Sequence, residues 1–367
     1  MLVFALSAAL AGARPTAGRA SPRMLAVSDT SQLAQLAGMT VLSIDSGNLD
    51  VVREYAHTGF ITDATTNPLF VSQAGLSGDA VYAAMVDEAV AYAQVRASGD
   101  EAVSLAMDRL AVNLGLQISK LVRGYVSTEV DVRLSFDVEQ SLARARRIIA
   151  MYEEAGVPRS RILIKLAGTW EGMLTAEQLQ REGIDVNITL VFAFIQAVVA
   201  AQRGARLISP FPGRVLDWHK ARGAGPTFAP AEDPGVVLCS QIYAYYKKHA
   251  HATICMPASW RPSRGSAPEF AIDEIVALAG SDRMTIPPAL LQQLAASEDP
   301  LQRVLEPKAA AAACTIDALG DGKVDEALFR SMMAADGCGP DKLAEGIKAF
   351  VADTERLDAA IRAKFEK

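Results

Sequence analysis

A chain of 367 residues, half of them apolar and 21% charged, is long enough for two average domains or one large α/β barrel. A net charge of −6 with no long basic run makes it a poor binder of nucleic acid or of an anionic membrane surface. An anionic ligand must then be held by a few placed cations.

The first 28 residues stand apart from the rest. They are rich in Ala, Arg and Ser, and the first acidic residue is Asp29. That composition predicts a targeting leader over 1–28 and a single barrel domain over 29–367. The opening "LVFALSAALAG" has the look of a short signal core, but no positive charge precedes it. A bipartite leader combining both features points to a plastid (chloroplast), with the cytoplasm as the alternative. No apolar run reaches the roughly 18 residues of a membrane span.

From residue 39 to about 290, short apolar runs alternate with helical stretches. The runs are "MTVLSI" (39–44), "GFIT" (59–62), "GYVSTEV" (124–130), "RILIKLA" (161–167), "IDVNITLV" (184–191), "ARLISPF" (205–211), "TICMPAS" (253–259) and "RMTIPP" (283–288). Between them lie helical patterns such as "DAVYAAMVDEAVAYAQVRA", "SLARARRIIAMYEEAG", "LVFAFIQAVVAAQRG" and "VVLCSQIYAYYKKHA". Several end in glycine, as helix C-termini often do. Eight strands alternating with helices predict a parallel sheet, and eight is the number that closes a (β/α)8 TIM barrel. The open doubly wound alternative lacks a GxGxxG after the first strand.

Residues 306–325 read as a linker feeding a final helix. "DALGDGKVDEAL" brushes the calcium-loop pattern, with Asp317, Asp321 and Gly322 at positions 1, 5 and 6. Leu319 and Leu328 fall where ligands belong, which argues against calcium. "DKLAEGIKAFVADTERLDAAIRAKF" then has the apolar spacing of a long amphipathic helix.

Cys239, Cys255, Cys314 and Cys338 show no CxxC spacing, so free thiols are expected rather than zinc or a dithiol pair. His249 and His251 follow "YYKK" near a helix end, where a dipole contact is a simpler role than metal binding.

Barrel chemistry collects at the C-terminal ends of the strands. There the sequence places Asp45, then Asn67 ahead of Pro68, then Glu129 and Asp131, Lys165, Asn187 and Thr189. Ser209 and Arg214 follow, and then Ser259 and Arg261. Any one of these alone reads as a cap, a turn residue or a satisfied hydrogen-bonder. Their convergence on one end of one barrel is what points to a site. Lys165 is the sharpest signal. It interrupts an otherwise apolar strand, and burying an ammonium is costly. Either it reaches water, or pairs with Glu129 at the barrel mouth, or serves as an amine.

A lysine among apolar neighbours sheds its proton more readily, and the free amine attacks a ketone to give an imine. The protonated imine drains electrons from a neighbouring carbon–carbon bond, which breaks or forms without a metal. Asp45 and Glu129 are candidate proton carriers, with a water ordered by Thr189. Asn67 and Asn187 suit sugar hydroxyls. Arg214 and Arg261 suit a phosphate, whose geometry matches a guanidinium fork.

Taken together, "TDATTNPLF", "STEVDVRLSFD", "ILIKLAGTWEG", "GIDVNITLVFAFIQA", "LISPFPGRVLDWHK", "APAEDPGV" and "DKLAEGIKAF" resemble class I transaldolases of the longer, enterobacterial and animal type, over about residues 30–367. The resemblance implies Lys165 as the Schiff-base lysine, Glu129 and Asp45 as the acid–base pair, and Thr189 as holder of the catalytic water. It implies Asn67, Asn187 and Ser209 as sugar-binding residues, with Arg214, Arg261 and nearby Ser259 at the phosphate. The implied reaction moves a dihydroxyacetone unit from sedoheptulose 7-phosphate to glyceraldehyde 3-phosphate, giving erythrose 4-phosphate and fructose 6-phosphate, in the non-oxidative pentose phosphate pathway. It implies no cofactor or metal, sugar phosphates as partners, and a monomer or homodimer. Three positions depart from the pattern: Leu69 and Gly168 each stand where serine is usual, and His219 where tyrosine is. Two alternatives remain at this point. A fructose 6-phosphate aldolase-like lyase would use the same imine, but the shuttle residue in such relatives is a tyrosine, and Glu129 favours transfer. An inactive barrel kept as a binding protein would never form the imine.

Overall fold

The computed structural model describes residues 25–366; residues 1–24 and 367, and so most of the expected leader, lie outside the described residues. All eight expected runs contain strands: β1 (Val41–Asp45), β2 (Ile61–Thr65), β3 (Val126–Glu129), β4 (Ile162–Ala167), β5 (Val186–Val191), β6 (Leu207–Pro210), β7 (Ile254–Cys255) and β8 (Arg283–Ile286). They pair in parallel in the order β7-β6-β5-β4-β3-β2-β1-β8. The gap between β7 and β8 is bridged by Thr285 N–H donating to Pro257 O at 3.2 Å, so the strands form a nearly closed (β/α)8 barrel.

β7 is much shorter than the run 253–259 suggested. Pro257 has no N–H to give the ladder, which ends regular pairing there. The chain still follows β6, because Met256 N–H reaches Ile208 O and Ala258 N–H reaches Pro210 O, each at 2.9 Å.

The two faces of the barrel wall are packed differently. Outward residues such as Ile44, Val126, Ile164, Val186 and Ile208 join a large core beneath the surrounding helices. Inside the barrel, Leu163, Leu207 and Met256 form a separate small cluster. Below it, Asp63 and Arg283 pair across the barrel floor. This plug makes the barrel a packed body with one usable end.

The helices dock by apolar stripes. In Val138–Glu154, Ala145, Ile148, Ile149 and Tyr152 recur at helical spacing, and all are buried. Burying each isoleucine contributes about 1.5–3 kcal/mol. Tyr152 reaches Thr128 on β3, oxygen to oxygen at 2.6 Å. It also crosses Gly115, where a Cβ would overlap the phenol oxygen, with the ring carbon Cζ 2.9 Å away. Gly115→Ala is therefore expected to destabilise the fold by about 1–3 kcal/mol, the usual cost of overpacking. Thermal unfolding checks this, and an unchanged Tm would show that Tyr152 can move aside.

The C-terminal region is more structured than the sequence suggested. The expected linker contains a helix, Pro307–Ala313, and a 3-10 turn at Gly320–Gly322. The partial calcium pattern runs on into the helix Glu326–Asp336. Leu328 lies in its first turn, with its N–H capped by Asp325 Oδ1 at 2.8 Å. Gly337, at φ 74°, breaks the chain before the long helix Cys338–Phe365, because a left-handed φ suits glycine. His249 stands at the C-cap of the helix Pro234–Lys248, as its position suggested. The four cysteines are free thiols. Among the described residues no helix is long and apolar enough to cross a membrane.

The long C-terminal helix packs on β5 and on the helices Pro68–Leu76, Gly99–Ser119 and Pro212–Ala221. Gly346 permits this approach, since a Cβ there would come 2.8 Å from Leu190 Cδ2. Ion pairs tie the helix at both ends. Asp341 meets Arg222 at 2.6 Å and Glu345 meets Arg214 at 3.2 Å, while Asp358 meets Arg133 at 3.2 Å.

Candidate active site

Strand register assembles the centre of the site. Glu129 is paired with Lys165 across β3 and β4, and Lys165 with Asn187 across β4 and β5. Partners in adjacent parallel strands share a face, so the three side chains stand abreast inside the barrel. Thr189 and Ser209, two residues beyond inward positions, share that face. Across the barrel Asp45 is paired with Thr65.

Lys165 Nζ lies 3.0 Å from Glu129 Oε2 and donates to Thr66 O at 3.2 Å. The lysine and glutamate side chains are only 6% and 4% exposed. The amine is paired, but it is not sealed away. Lys165 also lines a cavity of about 330 Å³ that contains Asp45, Thr189 and Ser209 on its wall. The Phe350 ring, from the C-terminal helix, sits 6.0 Å from Nζ.

Each neighbour is held in place. Thr65 Oγ1 donates to Asp45 Oδ1 at 2.7 Å and lies 2.7 Å from Thr285 Oγ1. Since the Thr65 proton goes to Asp45, Thr285 donates to Thr65. Ser209 Oγ donates to Asn187 Oδ1 at 2.9 Å, and Asn187 Nδ2 donates to Ser127 Oγ at 3.3 Å. Asn67 caps the helix Pro68–Leu76 through Phe70 N–H at 3.0 Å while lining the cavity.

Burial pushes the carboxyl groups of both Asp45 and Glu129 above their ordinary values, against the pull of the Lys165 charge. One ammonium cannot neutralise two buried carboxylates, so the arrangement favours keeping a proton on one of the two carboxyls. Thr189 Oγ1 and Glu129 Oε1 are buried polar atoms with no protein hydrogen-bond partner, a state normally relieved by water or ligand.

The cationic end lies where the helix Pro212–Ala221 begins. Arg214, Ser259 and Arg261 all line the cavity. Gly213 lets the turn after β7 close on this helix, since a Cβ would lie 2.7 Å from Arg261 N. Both guanidiniums rest on rim carboxylates, Arg214 on Glu345 at 3.2 Å and Arg261 Nε on Asp217 at 3.1 Å.

Every residue singled out as catalytic or substrate-binding thus falls at one end of the barrel, although Glu129 and Asn187 lie just behind the cavity wall. Asp131 does not join them. It is engaged by Arg133 at 2.7 Å and Arg144 at 3.3 Å. Burial opposes ionisation there, but the Arg133 hydrogen bonds outweigh it and hold the carboxyl below its usual range. Of the departures, Leu69 lines the cavity. Gly168 does not; its carbonyl accepts from Gln196 Nε2 at 2.8 Å, and a Cβ would crowd that nitrogen at 2.7 Å.

Sequence reasoning passed over Thr65, Thr285, Phe211, Phe350 and Asp353, all on the cavity wall. Thr285 was visible as the last polar residue of strand eight. Phe350 and Asp353 lie in the final helix, whose amphipathic pattern does not say what it covers.

A family model described as Transaldolase/Fructose-6-phosphate aldolase matches residues 42–361. A transaldolase from Glaesserella parasuis is 47% identical over 339 residues, 91% of this chain and all of its own length. One from Actinobacillus succinogenes is 46% identical, over 91% of this chain and 99% of its own. Transaldolase A of Pasteurella multocida is 43% identical, over 92% of this chain and its whole length. The plastid destination expected from residues 1–28 is corrected by these relatives, which belong to bacteria, cells without plastids. That expectation rested on Ala, Arg and Ser content, and bulk composition does not encode an address. With the family model and whole transaldolases both spanning nearly all of the barrel, the chain belongs to the transaldolase family, transferases of aldehyde and ketone residues.

Proposed function

We propose that Lys165 forms a Schiff base with a ketose phosphate and that residues 29–367 work as one domain in moving a dihydroxyacetone unit. The observation that carries this reading is the Lys165 amine, 3.0 Å from Glu129, on the wall of a cavity whose other end holds two arginines. The donor is sedoheptulose 7-phosphate and the acceptor glyceraldehyde 3-phosphate, in the non-oxidative pentose phosphate pathway.

The amine attacks the ketone carbon, and Glu129 with a water on Thr189 carries protons as the hydroxyl leaves as water. Electrons from the C3–C4 bond then flow to the iminium nitrogen. Asp45, steadied by Thr65, takes the proton from the C4 hydroxyl as the aldose departs. The remaining enamine attacks the acceptor aldehyde, Asp45 returns the proton to the new hydroxyl, and water hydrolyses the imine. Asn67, Asn187 and Ser209 hold hydroxyls of the bound unit. The C-terminal helix covers part of the cavity mouth with Phe350 and Asp353, which narrows the access of bulk water to the enamine before the acceptor arrives.

Borohydride reduction with fructose 6-phosphate, followed by peptide mass analysis, tests the reading. The adduct is expected on the peptide containing Lys165. An adduct on another lysine, or none, would end this account. For the phosphate role, Arg261→Ala is expected to raise KM for fructose 6-phosphate about tenfold or more, since hydrogen bonds to charged groups contribute ~1.5–3 kcal/mol. Unphosphorylated fructose should change little. Equal losses for both sugars would remove Arg261 from the phosphate site.

A further inference from the structure

The turn that carries Ser259 and Arg261 is not held by its own backbone preference. Ser259 has φ 63°, a left-handed conformation that is strained for a residue with a Cβ and needs outside support. Trp260 Nε1 supplies one anchor, donating to Thr285 O at 2.8 Å. A second comes from behind: Arg261 N–H donates to Glu274 Oε2 at 2.6 Å. Ser263 adds a third, donating to buried Asp233 Oδ2 at 2.6 Å.

Glu274 is unusual among these. Its side chain is fully buried on the short helix Asp273–Ala277, and Oε1 has no hydrogen-bond partner. It lines no part of the cavity. An ionised, unsatisfied carboxylate is a costly thing to bury, so such a group is retained for a reason or kept neutral.

We propose that Glu274 is the positioning residue for the phosphate end of the site, its buried carboxyl oxygen fixing the main chain at Arg261 so that Ser259 and the Arg261 side chain face the substrate phosphate. The proposal rests on the reading of Arg261 as a phosphate ligand. Burial, with the neighbouring Asp233 charge, pushes the Glu274 carboxyl well above its ordinary range, against the Arg261 amide hydrogen bond and charge. A neutral acid can still accept the amide through its carbonyl oxygen. It does so without placing a negative charge against the guanidinium, whose full charge is then left for the phosphate. Asp217, by contrast, meets the same guanidinium from the exposed rim, where water screens it.

The test compares Glu274→Gln with Glu274→Leu in the full chain, using fructose 6-phosphate and unphosphorylated fructose as donors. Glutamine keeps the acceptor oxygen and is neutral, so KM for fructose 6-phosphate should stay within about twofold of the parent. Leucine removes the acceptor, and that KM should rise about tenfold or more, as small misplacements of a binding group do. The rate with fructose should hold in both. If leucine does not fold, Glu274→Asp, which is polar but shorter, takes its place with the same expectation. Three results overturn the proposal: an unchanged KM in the leucine or aspartate variant, equal losses for both donors, or a glutamine variant as impaired as leucine. Arg261→Ala, run alongside, separates the two levels. If it shifts the phosphorylated donor alone and Glu274→Leu does not, only the Glu274 role fails. If it shifts neither donor selectively, the phosphate reading itself fails.

Discussion

Lys165→Ala is expected to abolish turnover and to leave no borohydride-trapped adduct on the protein, while the barrel remains folded. Alanine cannot supply the nitrogen, and among the described residues no other lysine lines the cavity. The remaining site could only bind the sugar. Removing the nucleophile from a covalent mechanism leaves at most the contribution of binding and charge, several orders of magnitude lower in kcat. The substitution also strands Glu129, whose side chain is 4% exposed and loses its cation. With Lys165 gone, burial and the Asp45 charge act on that carboxyl unopposed, so it should hold its proton to a higher pH than in the parent. A folded variant by circular dichroism, with residual transfer below detection, is the expected outcome. Retained adduct formation would move the chemistry to another amine.

Glu129→Gln is expected to lower kcat about 10²–10⁴-fold, the usual contribution of a positioned proton carrier, with adducts still trapped at long incubation. The amide keeps the shape beside Lys165 but cannot take up and release a proton. Alanine in its place should have a similar effect on rate and cost more in stability, because the buried ammonium would then keep only the Thr66 carbonyl as an acceptor. Single-turnover kinetics separate imine formation from later steps. If kcat in the glutamine variant stays within a few fold of the parent, proton transfer runs through another group, with Asp45 the next to test.

The two carboxylates differ in placement, which is the ground for the different tasks proposed for them. Glu129 touches the amine directly, whereas Asp45 is held across the barrel by the Thr285–Thr65 chain. Both are pushed upward by burial and downward by the lysine. In the proposed reaction, a group near Nζ would serve the steps that make and break the imine, and a group across the cavity, oriented by a fixed donor, would serve the hydroxyl where the carbon chain is cut.

The sequence is most legible where structure is local. Strand residues alternate between faces, so an ionisable residue inside an apolar strand had to face the interior of the ring. Lys165 was readable on that ground alone. Asp45, Glu129 and Asn187 followed from the rule that barrel strands end at the site. Asp131 shows the limit of that rule. It stands two residues past Glu129, yet Arg133 and Arg144 draw it into an ion-pair network behind the site. "STEVDVR" contains Arg133, but the letters do not show that its side chain turns back on Asp131, and Arg144 comes from a helix that follows.

The amino-acid order by itself determined the eight strands, the helices between them, the lysine in the ring and the residues beside it. Those are properties of short stretches, set by side-chain period, backbone preference and the cost of burying charge. Tertiary structure alone decided that the last helix would cross the open end, bringing Phe350 over the amine and Asp353 to the cavity wall. It alone placed Glu274 behind Arg261 and gave each arginine its rim carboxylate. These contacts join segments far apart in the chain. Which surfaces meet depends on how whole helices pack, at close approaches such as Gly346 and Gly213, and no local pattern records it.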